Sequence, residues 1–413
     1  MKMSNSMETR LTARRRSRRS GAFLVASAVA TTMAVAACSS GSGSPSSGSS
    51  GSSGSPASQA GSGSGSAAAG VDLSYVNAQL TKYGKLPTFT APGPSFDAKK
   101  LMAGKTIYSI GVNNSDQFVQ VLQNGMKEVA KQVGVNFQVF SNSGSPAQWV
   151  RGMQTAVNQK ASVIDLLAGI DPSQLHPQIA QAKAAGIPVV VSDAYDVAQK
   201  PDPSVAATAD VPYAQAGRLM ADWTVADTKG KADVLVIGSS DVVSSNFMVK
   251  AIQNEFSTRC STCKVKTIDV TVANWASQTQ SQVQAALNAD PGINYILPVY
   301  DSQSQFIVPA ITAAGKTGKV FIATYDGTPF VLKMMQDGNT VRMDVGENLD
   351  WVSKAVMDQD MRVAAGLKPV KDTKTPLYIF TKKNVDTAGT PPKNSTGYGT
   401  AYLAGYKKLW GLS

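Results

Sequence analysis

The chain is poor in the residues on which most hydrolytic and redox enzymes depend. Its 413 residues include one histidine and three cysteines, so a Ser-His-Asp or Cys-His mechanism would rest on His176 alone. That residue lies in Ser173-Gln174-Leu175-His176-Pro177, in the first turns of an expected helix, where a surface or capping role is expected. Gly-x-Ser-x-Gly, His-Glu-x-x-His and Walker phosphate-loop patterns are all missing. Paired carboxylates could still hydrolyse a glycoside, but nothing in the sequence pairs any two of them. The expectation is a protein without catalytic activity, cofactor or metal. Basic runs are also missing beyond the first forty residues. The formal charge is +11, but residues 1–37 hold seven Lys or Arg and one Glu, so six of those eleven charges belong to that segment. The remaining five give no reason to expect nucleic-acid binding.

What is present begins with an export pattern. Arg10, Arg14, Arg15, Arg16, Arg18 and Arg19 precede Gly21 to Ala37, 17 small and apolar residues without a charge. This is signal-peptide architecture, and it is shorter and weaker than the roughly 20 apolar residues of a spanning helix. It ends at Val35-Ala36-Ala37-Cys38, which resembles the lipobox of bacterial lipoproteins. The resemblance implies cleavage before Cys38 and lipid on its sulfur, with residues 1–37 as the signal peptide. The protein would then be extracytoplasmic, lipid-anchored to the outer face of the cell membrane. Residues 38–70 are almost wholly Gly, Ser and Ala, a flexible linker. Cys260 and Cys263 are spaced for a redox pair, half a zinc site or a short disulfide. Outside the cytoplasm a structural disulfide is favoured, since no second pair or nearby His completes a zinc site.

Residues 71–104 form an N-terminal extension, an amphipathic stretch from Leu73 to Tyr83 followed by Pro87, Pro92 and Pro94. Beyond it, short apolar runs alternate with helix-length segments, as in a parallel sheet with crossover helices. Expected strands are 106–112, 136–140, 163–167, 187–191 and 205–209, then 234–238, 264–270, 293–297 and 320–325. Two such series in about 300 residues imply an α/β protein of two doubly wound parallel-sheet lobes. Ligands of open α/β sheets bind outside the carboxyl ends of the strands. Polar clusters stand at those places: Asn113 to Phe118, Ser192-Asp193, Ser239 to Asn246, Tyr300-Asp301, Tyr325 to Thr328 and Glu347-Asn348, with Trp275 as an aromatic face. Carboxylates accept O–H donors strongly and rings cover C–H faces, so a hydroxylated small molecule is the expected ligand.

Three features together resemble the type 1 periplasmic binding protein family, the sugar-binding subunits of ABC importers similar to ribose-binding protein. These are Ser141 to Ala147, Ala185-Gly186-Ile187-Pro188-Val189-Val190 leading to Asp193, and Tyr325-Asp326-Gly327-Thr328-Pro329. The resemblance implies two lobes joined by a three-strand hinge, with 105–210 and about 347–376 in the first lobe, and 211–346 and about 377–413 in the second. It implies ligand contacts at Gln117, Phe118, Asp193, Asn246, Trp275, Asp301, Asp326 and Glu347 or its neighbour Gly346; Asn114, Asp116 and Tyr300 join them by position. It also implies a monomer that passes its ligand to an ABC permease in the membrane. Ribose-type pockets place arginines where this chain has Ala194 and Asn246, which leaves an acidic set suited to an amine or to a polyol whose hydroxyls all donate. A receptor signalling to a membrane histidine kinase is the alternative reading, and an extracellular carboxylate hydrolase a third.

Overall fold

The structure, a computed structural model, describes residues 70–338 and 340–412, all within one compact unit, Gly65–Ser413. The expected signal peptide, Cys38 and nearly all of the linker lie outside the described residues. Helix α1 (Leu73–Tyr83) and the short α2 (Ala98–Met102) come first. Then follow β1 (Thr106–Gly111), α3 (Gln117–Val133), β2 (Asn136–Phe140), α4 (Pro146–Asn158), β3 (Val163–Leu167), α5 (His176–Ala184), β4 (Val189–Asp196) and β5 (Ala207–Val211). A second series runs α6 (Tyr213–Asp227), β6 (Asp233–Gly238), α7 (Val243–Arg259), β7 (Lys264–Asp269), α8 (Trp275–Ala289), β8 (Tyr295–Pro298), α9 (Ser304–Ala313), β9 (Phe321–Asp326), α10 (Pro329–Asp337) and β10 (Val341–Glu347). The chain ends with α11 (Leu349–Ala364), β11 (Leu377–Thr381) and α12 (Ala401–Leu409).

The first sheet has the order β2-β1-β3-β4-β5, all parallel. The second repeats that order as β7-β6-β8-β9-β10 and adds β11 as an antiparallel edge. Buried runs build the centre of each sheet; every residue of β3, β4 and β6 is buried, as strands covered by helices on both faces require. Helix α3 shows how the sequence specifies an element. Asp116 caps it by accepting the Phe118 N–H at 2.9 Å. Val119, Leu122, Met126, Val129 and Val133 bury one stripe. Gly134, at φ 83°, ends it in the left-handed conformation.

Two strands go beyond the expected set. In β10, Arg342, Asp344 and Glu347 interrupt the apolar run, although Val341, Met343 and Val345 keep the alternation of a strand. β11 is short and lies at the sheet edge.

The extension and the C-terminus tie the lobes together. Helix α1 packs on the second lobe, burying Val76 beside α6. Val71 bridges to Cys260, which is disulfide-bonded to Cys263, and Arg259 pairs with Asp72 at 3.0 Å while covering the Tyr75 ring. The chain then passes to the first lobe, where Phe89 meets Trp351 and Tyr406. The expected assignment of 377–413 to the second lobe is corrected by α12. Its Tyr402, Tyr406 and Leu409, with Trp410, belong to the first lobe's core. Tyr402 stacks on Trp351 with centroids 4.7 Å apart, so the apolar stripe of α12 is covered by α11 instead of by β11. The hinge passages after β5, β10 and α11 are thus joined by two more, at 84–97 and 389–400.

Candidate functional site

The carboxyl ends of both sheets face one another, and the backbone there departs from ordinary strand geometry. Ala168 follows β3 at φ 64°, Asp193 lies in β4 at φ 54° where its pairing with β5 slips, and Asp326 closes β9 at φ 136°. Non-glycine residues rarely occupy positive φ, and such strain concentrates at functional sites. All three line one cavity, with about 490 Å³ of space including the solvent at its mouth. Val112, Asp116, Phe118 and Val119 complete the first lobe's wall. The second lobe supplies Tyr213, Val242, Ser244, Val272, Trp275, Tyr300, Ser302 and Asp326.

Each polar or aromatic wall residue is held in place. The Trp275 indole N–H donates to Ser239 Oγ at 2.8 Å and to the Val270 carbonyl at 3.0 Å, fixing the ring plane. Tyr300 lies beside it with centroids 6.0 Å apart, its hydroxyl 2.7 Å from Ser244 Oγ. Tyr213 opens α6 at the hinge passage and donates its hydroxyl to Asp193 Oδ1 at 2.6 Å. That bond ties a second-lobe ring to a first-lobe carboxylate. The lobes touch elsewhere too, because a Cβ added at Gly169 would stand 2.7 Å from Val242. The lobes therefore meet at two places beside the cavity.

Six expected residues meet at the cavity: Asp116, Phe118, Asp193, Trp275, Tyr300 and Asp326. Five do not form its wall. Asn114 braces its loop, donating to Gln123 and accepting from the Asn142 backbone and side chain. Gln117 is exposed at the outer mouth. Asn246 is exposed and makes only a 3.5 Å contact to the Ser240 carbonyl. Asp301 is buried and turned away to accept the Thr328 N–H and hydroxyl at 2.8 and 2.6 Å. Glu347 is buried with neither carboxylate oxygen partnered among the described residues. Sequence reasoning did not single out the other eight wall residues, among them Ala168, Tyr213, Ser244 and Ser302. Val242 and Ser244 sit inside the expected cluster Ser239 to Asn246; the other valines look like any core residue. His176 faces the surface and contacts Asp202 at 2.7 Å.

Electrostatically the site is one-sided. Burial raises the Asp193 carboxyl. Burial, then the Asp301 charge, holds Asp326 well above the usual range. Burial followed by the neighbouring acids does the same for Glu347 and Asp344. Away from the cavity, burial pushes Asp210 up to about 7 and Asp222 up to about 8. A carboxyl raised on folding adds stability that is complete below its unfolded value near 3.8 and is lost as pH rises through its folded value. The melting temperature of the ligand-free receptor should therefore climb between pH 8 and pH 6. A flat or falling calorimetric profile over that window would contradict this.

No group of three His, Cys, Asp or Glu side chains is placed to hold a metal among the described residues, and none of their helices is long and apolar enough to cross a membrane. Two α/β lobes joined by a hinge, with a cavity lined by residues of both, define a ligand-capturing receptor. The chain belongs to the periplasmic binding protein family, whose domain matches residues 107–367. It is similar to a D-ribose/D-allose-binding protein of Pseudomonas aeruginosa, 25% identical over 55% of this chain and 72% of that protein. A D-apiose import binding protein of Actinobacillus succinogenes is 26% identical over 62% and 80%. An ABC-transporter solute-binding protein from Mycobacterium smegmatis, solved with bound glycerol, shares the fold at a TM-score of 0.63, with 16% identity over 71% of this chain and 99% of that one.

Proposed function

We propose that this protein is an extracytoplasmic solute receptor that captures a sugar or polyol between its lobes and delivers it to an ABC importer. The observation that supports this best is the cavity itself, where Asp116, Asp193 and Asp326 stand among Phe118, Trp275 and Tyr300. Carboxylates take the ligand's O–H bonds and rings cover its C–H faces. The names of the sugar-binding relatives favour the same class of ligand. Cys38 would carry the lipid, and the Gly/Ser segment after it would leash a monomeric receptor near its permease. Turnover is not part of this reading, and the ligand should be released unchanged.

The test is thermal unfolding and calorimetric titration of the fragment Gly65–Ser413, which holds both lobes and every contact described above. A ligand at 100 times its Kd adds about 2.7 kcal/mol of stability, so a panel of sugars and polyols should contain members that raise the melting temperature clearly. No shift with any member would overturn the proposal. A chemically altered ligand recovered from the complex would point to hydrolysis instead.

A further inference from the structure

The cavity has acids and no base. Asp116, Asp193 and Asp326 line it, Asp301 and Glu347 are buried close by, and among the described residues no Lys, Arg or His contributes to its wall. Nor does any Lys, Arg or His form a salt bridge with Asp193, Asp301, Asp326 or Glu347 among the described residues. Buried charges are ordinarily paired or hydrogen-bonded, so counter-charge for this set has to come from protons or from the ligand.

The hydrogen bonds favour the ligand as that source. Each lining carboxylate already accepts a donor from the protein: Asp193 from the Tyr213 hydroxyl, Asp326 from the Asp301 N–H at 3.0 Å, and Asp116 from the Phe118 N–H. Donors on a carboxylate favour its ionised form, against the burial that raises Asp193 and Asp326 in the empty cavity. Asp193 is 2% exposed, and its Oδ2 has no partner among the described residues although the residue forms part of the wall. A neutral polyol could donate to that oxygen and would still leave the enclosed charge uncompensated. An ammonium group offers three donors and the missing charge together, and the faces of Trp275 and Tyr300 attract a cation as well.

We infer that the cavity is built for a hydroxylated ligand that carries an amine, an amino sugar or amino polyol, with the ammonium between Asp193 and Asp326. This rests on the interlobe cavity being the ligand site. Three matched sets of probes test it by calorimetry on Gly65–Ser413: glucose, glucosamine and glucuronate; glucitol, glucamine and gluconate; glycerol, serinol and glycerate. In the set that binds, the amine should be at least tenfold tighter than the neutral member, and the acid should not bind. Asp193→Asn should lower the amine's affinity at least tenfold and the neutral member's by less, so that the preference shrinks. A neutral member that matches or exceeds its amine in every binding set overturns this inference and leaves the sugar or polyol receptor standing. An amine preference that Asp193→Asn leaves intact overturns the placement of the ammonium. Silence across all nine probes overturns both readings.

Discussion

Asp326→Asn should weaken ligand binding by roughly 10- to 150-fold and, in the same protein, raise the melting temperature of the empty receptor. The first effect is the loss of a carboxyl that ionises only against the donors of a bound ligand, about 1.5–3 kcal/mol for a hydrogen bond to an ionised group. The second follows from the surroundings: Asp326 is 3% exposed, and burial together with Asp301, Glu347 and Asp344 opposes its charge. The amide is nearly isosteric, still accepts the Asp301 N–H, and belongs to the residue types that enter positive φ most readily. Removing the charge therefore relieves the fold while it damages the site, the pattern expected where function is maintained against stability. Titration calorimetry with any binding ligand and a thermal melt without it decide the matter. Unchanged affinity together with a lower melting temperature would show that Asp326 is a structural group.

Arg362→Ala should destabilise the receptor by about 3–5 kcal/mol, the usual cost of leaving one partner of a buried ion pair alone. Arg362 is 3% exposed. Its Nε lies 2.7 Å from Asp358 Oδ2, its Nη2 donates to the Pro94 carbonyl at 2.9 Å, and its guanidinium covers Phe96. One side chain on α11 therefore holds both the extension and the acid beneath it. After truncation, Asp358 keeps only the Trp410 indole N–H, at 2.8 Å. Urea unfolding measures the loss, and the double replacement Asp358→Leu with Arg362→Met should recover most of it, because a well-packed apolar pair can replace a buried ion pair. A loss below about 1 kcal/mol would place the pair among weak surface bridges.

Much of the site is legible because strand ends are legible. The run Ile187 to Val191 points to a polar group just beyond it, and Asp193 is there; the run ending at Tyr325 gives Asp326 in the same way. Asp301 and Glu347 satisfy the same rule and still miss the wall. Asp301 opens a single 3-10 turn, Asp301–Gln303, that aims its carboxylate at Thr328. Glu347 is carried by β10 to a buried place near Tyr325, Asp193 and Asp301. Position beyond a strand is a local property, whereas the direction of a side chain depends on the turn that follows and on partners far along the chain. Tyr213 shows the converse. Its sequence neighbours suggest only the first turn of a helix, yet the hinge passage delivers its hydroxyl to Asp193.

By itself the sequence determined the two α/β series, their order and the end of the sheets where a ligand would sit, because hydrophobic periodicity and strand-end chemistry are written in adjacent residues. Tertiary structure alone decided which acids face the cavity, that α12 returns to the first lobe, and that the extension is secured to both lobes. Those outcomes depend on contacts such as Trp351 with Tyr402, Arg259 with Asp72 and Arg362 with Pro94. Their partners lie tens to hundreds of residues apart, and no local pattern records which distant apolar stripe or buried charge will be covered by which.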